Sequence, residues 1–363
     1  MAKLTAGRAT AEATRRYTER FKGRLADGNF RALGRGPLSS TVGLGTYLGP
    51  EDGATDVMYQ DAALRALELG VNVLDTAVNY RHQRSERAIR TALATAIGRG
   101  VAARDEVVVA TKGGFIPFDG AVPRDPRGYF SSTYLETGII KPGDVAGGAH
   151  CMTPRYLRDQ IDRSRANLRL DTIDIFYLHN PETQLGFVSR EEFERRIRLA
   201  FAKLEQLVAD GKIRYYGTAT WDGYRRPAGA RDALDLARLV EIAREEGGAG
   251  HHFRFVQLPF NLAMPEAFTN GVLERAAQSG MVVVASASLL QARLARGLPE
   301  ALAEKFPSLS SDAQRAIQFT RSTPGITVAL VGMSQAAHVA ENLRLAAVPP
   351  VPQSEYLDLF QRA

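Results

Sequence analysis

Eight short β-rich runs alternate with amphipathic helical stretches along this 363-residue chain, and that rhythm restricts the fold more than any other feature. The β-like runs fall at 42–46, 71–75, 106–111, 172–178, 213–217, 253–258, 281–285 and 327–331. Two of them contain the unbroken apolar string Val-Val-Val-Ala, at 107–110 and 282–285, as parallel strands buried on both faces do. Between the runs, Thr153-Pro154 is a fitting helix start, with Leu157, Ile161, Ser164 and Leu168 on one face. Phe193, Ile197, Phe201, Leu204 and Val208 form a second stripe that stops at Asp210-Gly211. Further helices are expected near 56–69, 84–98, 232–246, 266–279, 311–322 and 335–346. Eight β/α units point to a closed barrel or a doubly wound sheet. No Gly-x-Gly-x-x-Gly follows any expected strand, which disfavours the second. The expected fold class is therefore α/β, a (β/α)8 TIM barrel.

The barrel is expected over 30–348. Runs at 30–33 and 37–40 flank Gly34-Arg35-Gly36 and predict a β-hairpin ahead of the first barrel strand. Residues 1–29 read as an arginine-rich helical extension, expected to ride on the surface as an appendage. Residues 349–363 read as a C-terminal tail. The stretch 115–152 has no sustained period and many Gly and Pro residues, and a loop of that length in a compact enzyme usually serves binding.

Composition excludes several classes of function. The 45% hydrophobic and 24% charged content is that of an ordinary globular protein. No run of eighteen apolar residues exists, so no membrane span is expected. The first residues carry charge but no apolar core, so no secretory signal is expected either. The single cysteine, Cys151, cannot pair within the chain and fits a reducing cytoplasm. The net charge of +6 comes from arginines spread along the chain, which reads as a solvated surface with a modest pull on anionic cofactors, not as a nucleic-acid interface. No nucleic-acid or membrane partner is expected. No sequence signal specifies an oligomeric state. The six histidines are scattered, without metal-ligand spacing, so no metal is expected.

In a (β/α)8 barrel, function gathers at the C-terminal ends of the strands. Asp75, Lys112, His179 and Gln257 each end a β-rich run. Three of these are ionisable and follow buried apolar residues, where an unpaired charge is costly. Asp75 and Lys112 stand at the mouths of neighbouring strands and would neutralise one another. Tyr80 lies on the loop leaving the Asp75 strand, so its phenol can turn back over the barrel mouth. Hydride delivery to a carbonyl carbon leaves charge on oxygen, which must be protonated or hydrogen-bonded. Lys112 is expected to lower the Tyr80 pKa so that the phenol can donate and recover its proton. His179 would orient and polarise the carbonyl. Each residue alone has a plainer reading: a cap for Asp75, a core histidine for His179, a solvent-seeking lysine, a loop aromatic. Three strand-end placements together argue against all four.

These residues resemble the aldo/keto reductases over roughly 30–346. Asp75-Thr76-Ala77-x-x-Tyr80 with Ser85-Glu86 is similar to that family's D-T-A-x-x-Y-G-x-G-x-S-E signature, with Arg81 and Gln83 in place of two glycines. Thr111-Lys112-Gly113-Gly114, Asp174-x-Phe176-x-x-His179, the run from Gly211-Lys212-Ile213-Arg214 to Gly217, and Glu341-Asn342 follow in the family's order. The resemblance implies a barrel closed at its base by the hairpin and a tetrad of Asp75, Tyr80, Lys112 and His179. It also implies a nicotinamide cofactor, NADP by family habit with NAD as competitor, extended at the barrel mouth. The matching cofactor positions are Gly45, Thr46, Tyr47, Asp75, Thr218, Ala219, Thr220, Gln257, Ser286, Ala287, Ser288, Leu289, Gln291, Gly332, Ser334, His338, Glu341 and Asn342. Ala219-Thr220 replaces the usual Ser-Asn, Ser286–Leu289 lacks the tyrosine that many relatives stack on the nicotinamide, and Ser334 stands where relatives carry a cation for the 2′-phosphate. Arg293 or Arg296 is a candidate to compensate. Substrate contacts are expected from Tyr47, Phe115, Tyr129 and Phe130. The function implied is NAD(P)H-dependent reduction of an aldehyde, ketone or C=N group with Tyr80 as proton donor. A non-catalytic cofactor-binding regulatory protein on the same fold is the alternative, and a Schiff-base aldolase using Lys112 is a remoter one.

Overall fold

In the computed structural model, which describes residues 4–361, eight parallel strands close into a barrel. After a short hairpin of β1 (Phe30–Ala32) and β2 (Leu38–Ser40) come β3 (Val42–Gly45), β4 (Val73–Asp75), β5 (Val108–Gly113), β6 (Ile173–His179), β7 (Ile213–Ala219), β8 (Phe253–Pro259), β9 (Val282–Ser286) and β10 (Ile326–Gly332). Each strand pairs with the next, and β10 returns to pair with β3, Ala329 lying opposite Val42. Every expected run became a strand, and β5 to β10 continue one or two residues further than the pattern suggested. The extra residues at the mouth include Lys112, His179, Thr218 and Ser286.

Alternation along the strands divides two cores. Val73, Val108, Ala110, Ile175, Tyr177, Phe255, Val282, Val284, Val328 and Leu330 fill the barrel interior at period two. Their neighbours face outward into a larger layer shared with the surrounding helices. At Gly217 the β7 backbone comes so close to β8 that a Cβ would stand 2.1 Å from the Phe255 carbonyl oxygen, which glycine alone permits. Among the helices, Gly53–Glu68 starts earlier than expected because Asp52 caps it, accepting from the Thr55 N–H at 2.8 Å. The expected helix over 266–279 is broken at Gly271, where φ is +76°. Among the described residues no helix is long and apolar enough to cross a membrane.

The N-terminal segment does not ride free on the surface. Helix Ala11–Glu19 buries Ala13, Thr14 and Tyr17, and the Tyr17 hydroxyl donates to the Leu67 carbonyl at 2.5 Å. Ahead of it, Ala9 enters the interior core at the barrel base beside Leu33 of the hairpin connection. Its N–H donates to Asp174 Oδ1 at 2.7 Å, its carbonyl accepts from Arg214, and Thr5 bridges to Leu170. Arginine-rich composition hid an apolar i, i+4 stripe of Ala9, Ala13 and Tyr17. Residues 353–361 likewise form a helix, with Tyr356 buried and its hydroxyl 2.6 Å from Thr323 Oγ1.

Candidate active site

A cavity of about 500 Å³ opens at the C-terminal ends of the strands. Asp75, Tyr80 and His179 line it, and Lys112 lies buried beneath. The Lys112 ammonium forms an ion pair with Asp75 Oδ1 and donates to the Thr76 carbonyl at 2.9 Å. Asp75 Oδ2 accepts from Gln257 Nε2 at 2.8 Å, so both carboxylate oxygens are satisfied. Lys112 Nζ also stands 4.8 Å from the Tyr80 ring centroid. Tyr80 meets His179 edge to face at 5.7 Å and Tyr47 at 5.0 Å. Four residues from three separate stretches of the sequence thus converge at the barrel mouth.

The electrostatics follow from burial. Burial opposes the Lys112 charge, but Asp75 and Tyr80 outweigh it and hold the ammonium above the usual lysine range. Burial raises the Tyr80 phenol above its ordinary value, and the Lys112 charge only partly offsets this. The expectation of a lowered Tyr80 pKa is therefore corrected: in the protein alone desolvation wins, and the phenol stays protonated at neutral pH. Burial, then Lys112 and His150, press His179 well below the usual histidine range, so its ring is neutral.

Local sequence explains how these groups are held. Ser85 Oγ donates to the Thr46 carbonyl at 2.8 Å, and Glu86 accepts from Thr111 Oγ1 at 2.7 Å and Asn167 Nδ2 at 2.8 Å. The Ser-Glu pair therefore locks the Tyr80 loop to β5, next to Lys112. Asp174 and His179 sit at opposite ends of β6, Asp174 closing the base through Arg104 at 2.7 Å and the Val109 N–H at 2.9 Å. Arg81, His82 and Gln83 keep the left-handed backbone that the glycines would have adopted, with φ of +48°, +50° and +73°. Side-chain anchors hold this strained turn. Arg81 donates to the Pro50 carbonyl at 2.8 Å and to Asp56 Oδ1 at 2.7 Å, and Gln83 donates to the Phe118 carbonyl at 2.8 Å. The turn is glycine-like in shape but tied to the rim.

The insertion leaves β5 at Gly114 and returns through an antiparallel bridge between Phe115 and His150. His150 Nε2 donates to the His179 carbonyl at 2.7 Å while its Nδ1 accepts from Gln184 Nε2 at 2.8 Å. Gly114 has no room for a side chain, since a Cβ would lie 2.7 Å from His150 Nε2 and 2.8 Å from the His179 oxygen. Phe115 reaches the cavity and packs on His179 at 5.2 Å. Tyr129 and Phe130 do not line it: they pack around Tyr134, Ile140, Cys151 and Tyr156 in the insertion's own small core.

Of the expected cofactor positions, Gly45, Thr46, Tyr47, Asp75, Ala219, Thr220, Gln257, Ser286, Ala287, Ser288, Leu289, Gln291 and Gly332 line the cavity. Thr218 does not, because its hydroxyl is spent on Tyr224 at 2.7 Å inside the core. Ser334, His338, Glu341 and Asn342 lie beyond the lining, the last three in helix Ala336–Asn342, with Asn342 buried and His338 and Glu341 exposed. The reading missed Leu48, Asn79, Asn180, Trp221, Ala292 and Leu330. Trp221 was detectable as the lone tryptophan two residues past the end of β7. It is 42% exposed, on a loop whose N–H groups at 221, 222 and 223 all donate to Glu182 Oε1 at 2.9–3.3 Å.

The lining fits a nicotinamide dinucleotide. Thr220 Oγ1 and Ser288 Oγ are buried hydroxyls without a partner among the described residues, a cost that a polar ligand would relieve. Ala287, Leu290, Gln291 and Ala292 adopt φ between +45° and +67°, and the N–H groups of Ser288, Leu289, Gln291 and Ala292 donate to no acceptor among the described residues. A strained loop of free backbone donors is an anion cradle suited to a pyrophosphate.

The aldo/keto reductase family profile matches residues 41–359. A 6-dehydroglucose reductase of Novosphingobium aromaticivorans is 25% identical over 325 residues, covering 86% of this chain and 88% of that protein. A D-threo-aldose 1-dehydrogenase of a Pseudomonas species is 24% identical, covering 82% of this chain and 85% of that one. An aldo/keto reductase of Klebsiella pneumoniae, solved with NADP and acetate, superposes with a TM-score of 0.62 at 20% identity, covering 92% and 94% of the two chains, and shows the same fold. With its tetrad gathered at the mouth of a closed barrel and the family profile spanning nearly all of that barrel, the chain belongs to the aldo/keto reductase family.

Proposed function

We propose that this chain reduces a small aldehyde or ketone, or a C=N group, with NADPH as cofactor and Tyr80 as proton donor. The observation that carries the proposal is the state of the tetrad: a phenol kept protonated by burial, against an ammonium neutralised by Asp75, beside a neutral imidazole. NADPH, when bound, supplies the hydride. Tyr80 gives its proton to the carbonyl oxygen as that oxygen becomes anionic, and Lys112 stabilises the phenolate left behind until it regains a proton from solvent. His179 orients the carbonyl. Thr220 and Gln257 are placed to hold the carboxamide, and the 288–292 backbone the pyrophosphate. Trp221 is an aromatic on this rim, beside Tyr47, Tyr80 and Phe115, that would cover the ring where β9 offers no tyrosine. NADP is favoured over NAD by the NADP-bound Klebsiella relative. A cytoplasmic location belongs to the same proposal, supported by the single, unpaired, buried Cys151.

The test is turnover of 4-nitrobenzaldehyde with NADPH and with NADH, followed by loss of reduced-nicotinamide absorbance, beside a fluorescence titration of both cofactors. Tight cofactor binding without turnover of this or other aldehydes would overturn the proposal in favour of a regulatory protein. A putative voltage-gated potassium channel β subunit of Schizosaccharomyces pombe is 29% identical, but over 54% of this chain and 46% of that one. The intact tetrad favours catalysis.

A further inference from the structure

His179 is held tightly everywhere except in the placement of its one hydrogen. Its carbonyl accepts from His150, and its ring stands edge-on between Tyr80, at 75°, and Phe115, at 88°. The ring is neutral and therefore carries a single N–H, so which nitrogen bears it decides what the residue can do. Nδ1 lies 3.2 Å from the Asn79 side-chain amide, and Nε2 has no protein partner among the described residues. The charged and titratable groups around the ring are Lys112, Asp75, Tyr80 and His150, and among the described residues none of them bonds Nδ1. Asn79 alone does. As the side chains lie, Asn79 presents Oδ1, which places the hydrogen on Nδ1 and leaves Nε2 a bare acceptor. A carbonyl oxygen needs a donor there. The Asn79 Nδ2 group makes no other hydrogen bond among the described residues, so a half-turn of the amide, which conserves its shape, costs no second contact.

We propose that Asn79 is a positioning residue that assigns the His179 tautomer: with its amide turned to present Nδ2 to Nδ1, it fixes the hydrogen on Nε2, where it can bind the substrate oxygen. This rests on the reading of the site as a carbonyl reductase. The hydride still goes to the carbonyl carbon and the proton still comes from Tyr80. His179 transfers nothing, and the same tautomer serves the reverse reaction. Aspartate could only accept at this position, so it would pin the hydrogen on Nδ1. An apolar residue would leave the tautomer unassigned.

The experiment uses the full chain labelled with 15N-histidine, alone and with NADP+ plus 4-nitrobenzaldehyde, a pair that presents a carbonyl but no hydride. His179 resonances are identified by their loss in His179→Gln, and long-range 1H–15N correlations read the tautomer. Wild type in the ternary complex should show the hydrogen on Nε2. Asn79→Asp should move it to Nδ1 or protonate both nitrogens, and lower kcat about 10²-fold while NADP+ affinity is kept. Asn79→Leu should lower kcat on the order of tenfold, the worth of one hydrogen bond. A wild-type complex with the hydrogen on Nδ1 would overturn the proposal, as would an Asn79→Asp protein that keeps the wild-type pattern and kcat within a few-fold. If wild type reduces no carbonyl, the proposed function fails separately. The shift in the free protein between wild type and Asn79→Asp then still decides whether Asn79 sets the tautomer.

Discussion

Lys112→Met separates the geometry of the site from its chemistry, because it removes the buried ammonium while keeping most of the side-chain volume. Lys112 is 1% and Asp75 4% exposed, so the variant leaves a carboxylate inside the barrel whose Oδ1 has lost its ion-pair partner. Among the described residues only Gln257 Nε2, at 2.8 Å from Oδ2, remains. Breaking one side of a buried pair costs about 3–5 kcal/mol. Adding Asp75→Asn should recover all but about 1 kcal/mol, since an amide can still bond Gln257 and carries no charge. Urea unfolding followed by the fluorescence of the lone Trp221 measures all four proteins of the cycle. A Lys112→Met deficit below about 1 kcal/mol near pH 8, or no recovery in the double variant, would refute the buried-pair argument.

Tyr80→Phe keeps the ring contacts with Tyr47, His179 and Lys112 and removes only the hydroxyl. It should retain NADPH affinity and lower kcat at least about 10²-fold, and activity within a few-fold of wild type would displace Tyr80 as donor. The pH profile of reduction should have no limb near the usual histidine value of about 6.5, because His179 is held well below it. It should fall only on the alkaline side, above the ordinary phenol value of about 10, because the free-protein Tyr80 pKa is raised. Stopped-flow initial rates across pH test this, and a sigmoid centred near 6.5 that is lost in His179→Gln would contradict it. Ser334→Arg should raise the preference for NADPH over NADH in paired titrations. An unchanged ratio would move the reader of the 2′-phosphate elsewhere, with Arg293 and Arg296 next in line.

Much of the barrel was legible because its strands are apolar on both faces and glycine punctuates their connections. Asp75, Lys112 and His179 stood out because charge at the end of an apolar run has few explanations. What escaped did so for physical reasons. The docking of residues 5–19 was masked by surface arginines around a stripe of only three inward apolar residues, Ala9, Ala13 and Tyr17. Tyr129 and Phe130 look like pocket aromatics in a loop, yet that loop is long enough to bury rings against Tyr134 and Tyr156. The phenol pKa was misjudged because sequence reveals the neighbouring ammonium but not the depth of burial, and depth prevails. Asn79 sits in a variable position of the Asp75–Tyr80 motif, and Trp221 lies outside every motif quoted, so a pattern assigns neither a role.

The seam at the barrel base also has a consequence for synthesis on the ribosome. Residues 5–9 find their partners at 169–174 and at Arg214, so this stretch has nowhere to settle until β6 and β7 have been made. During that interval Tyr17 and its neighbours on helix Ala11–Glu19 can bury themselves only against the early elements, such as Leu67 and Val71. A bulky fusion placed ahead of residue 5 would thus burden the last step of closing the base, and its effect would appear as slowed maturation with the rim at the opposite end unaltered.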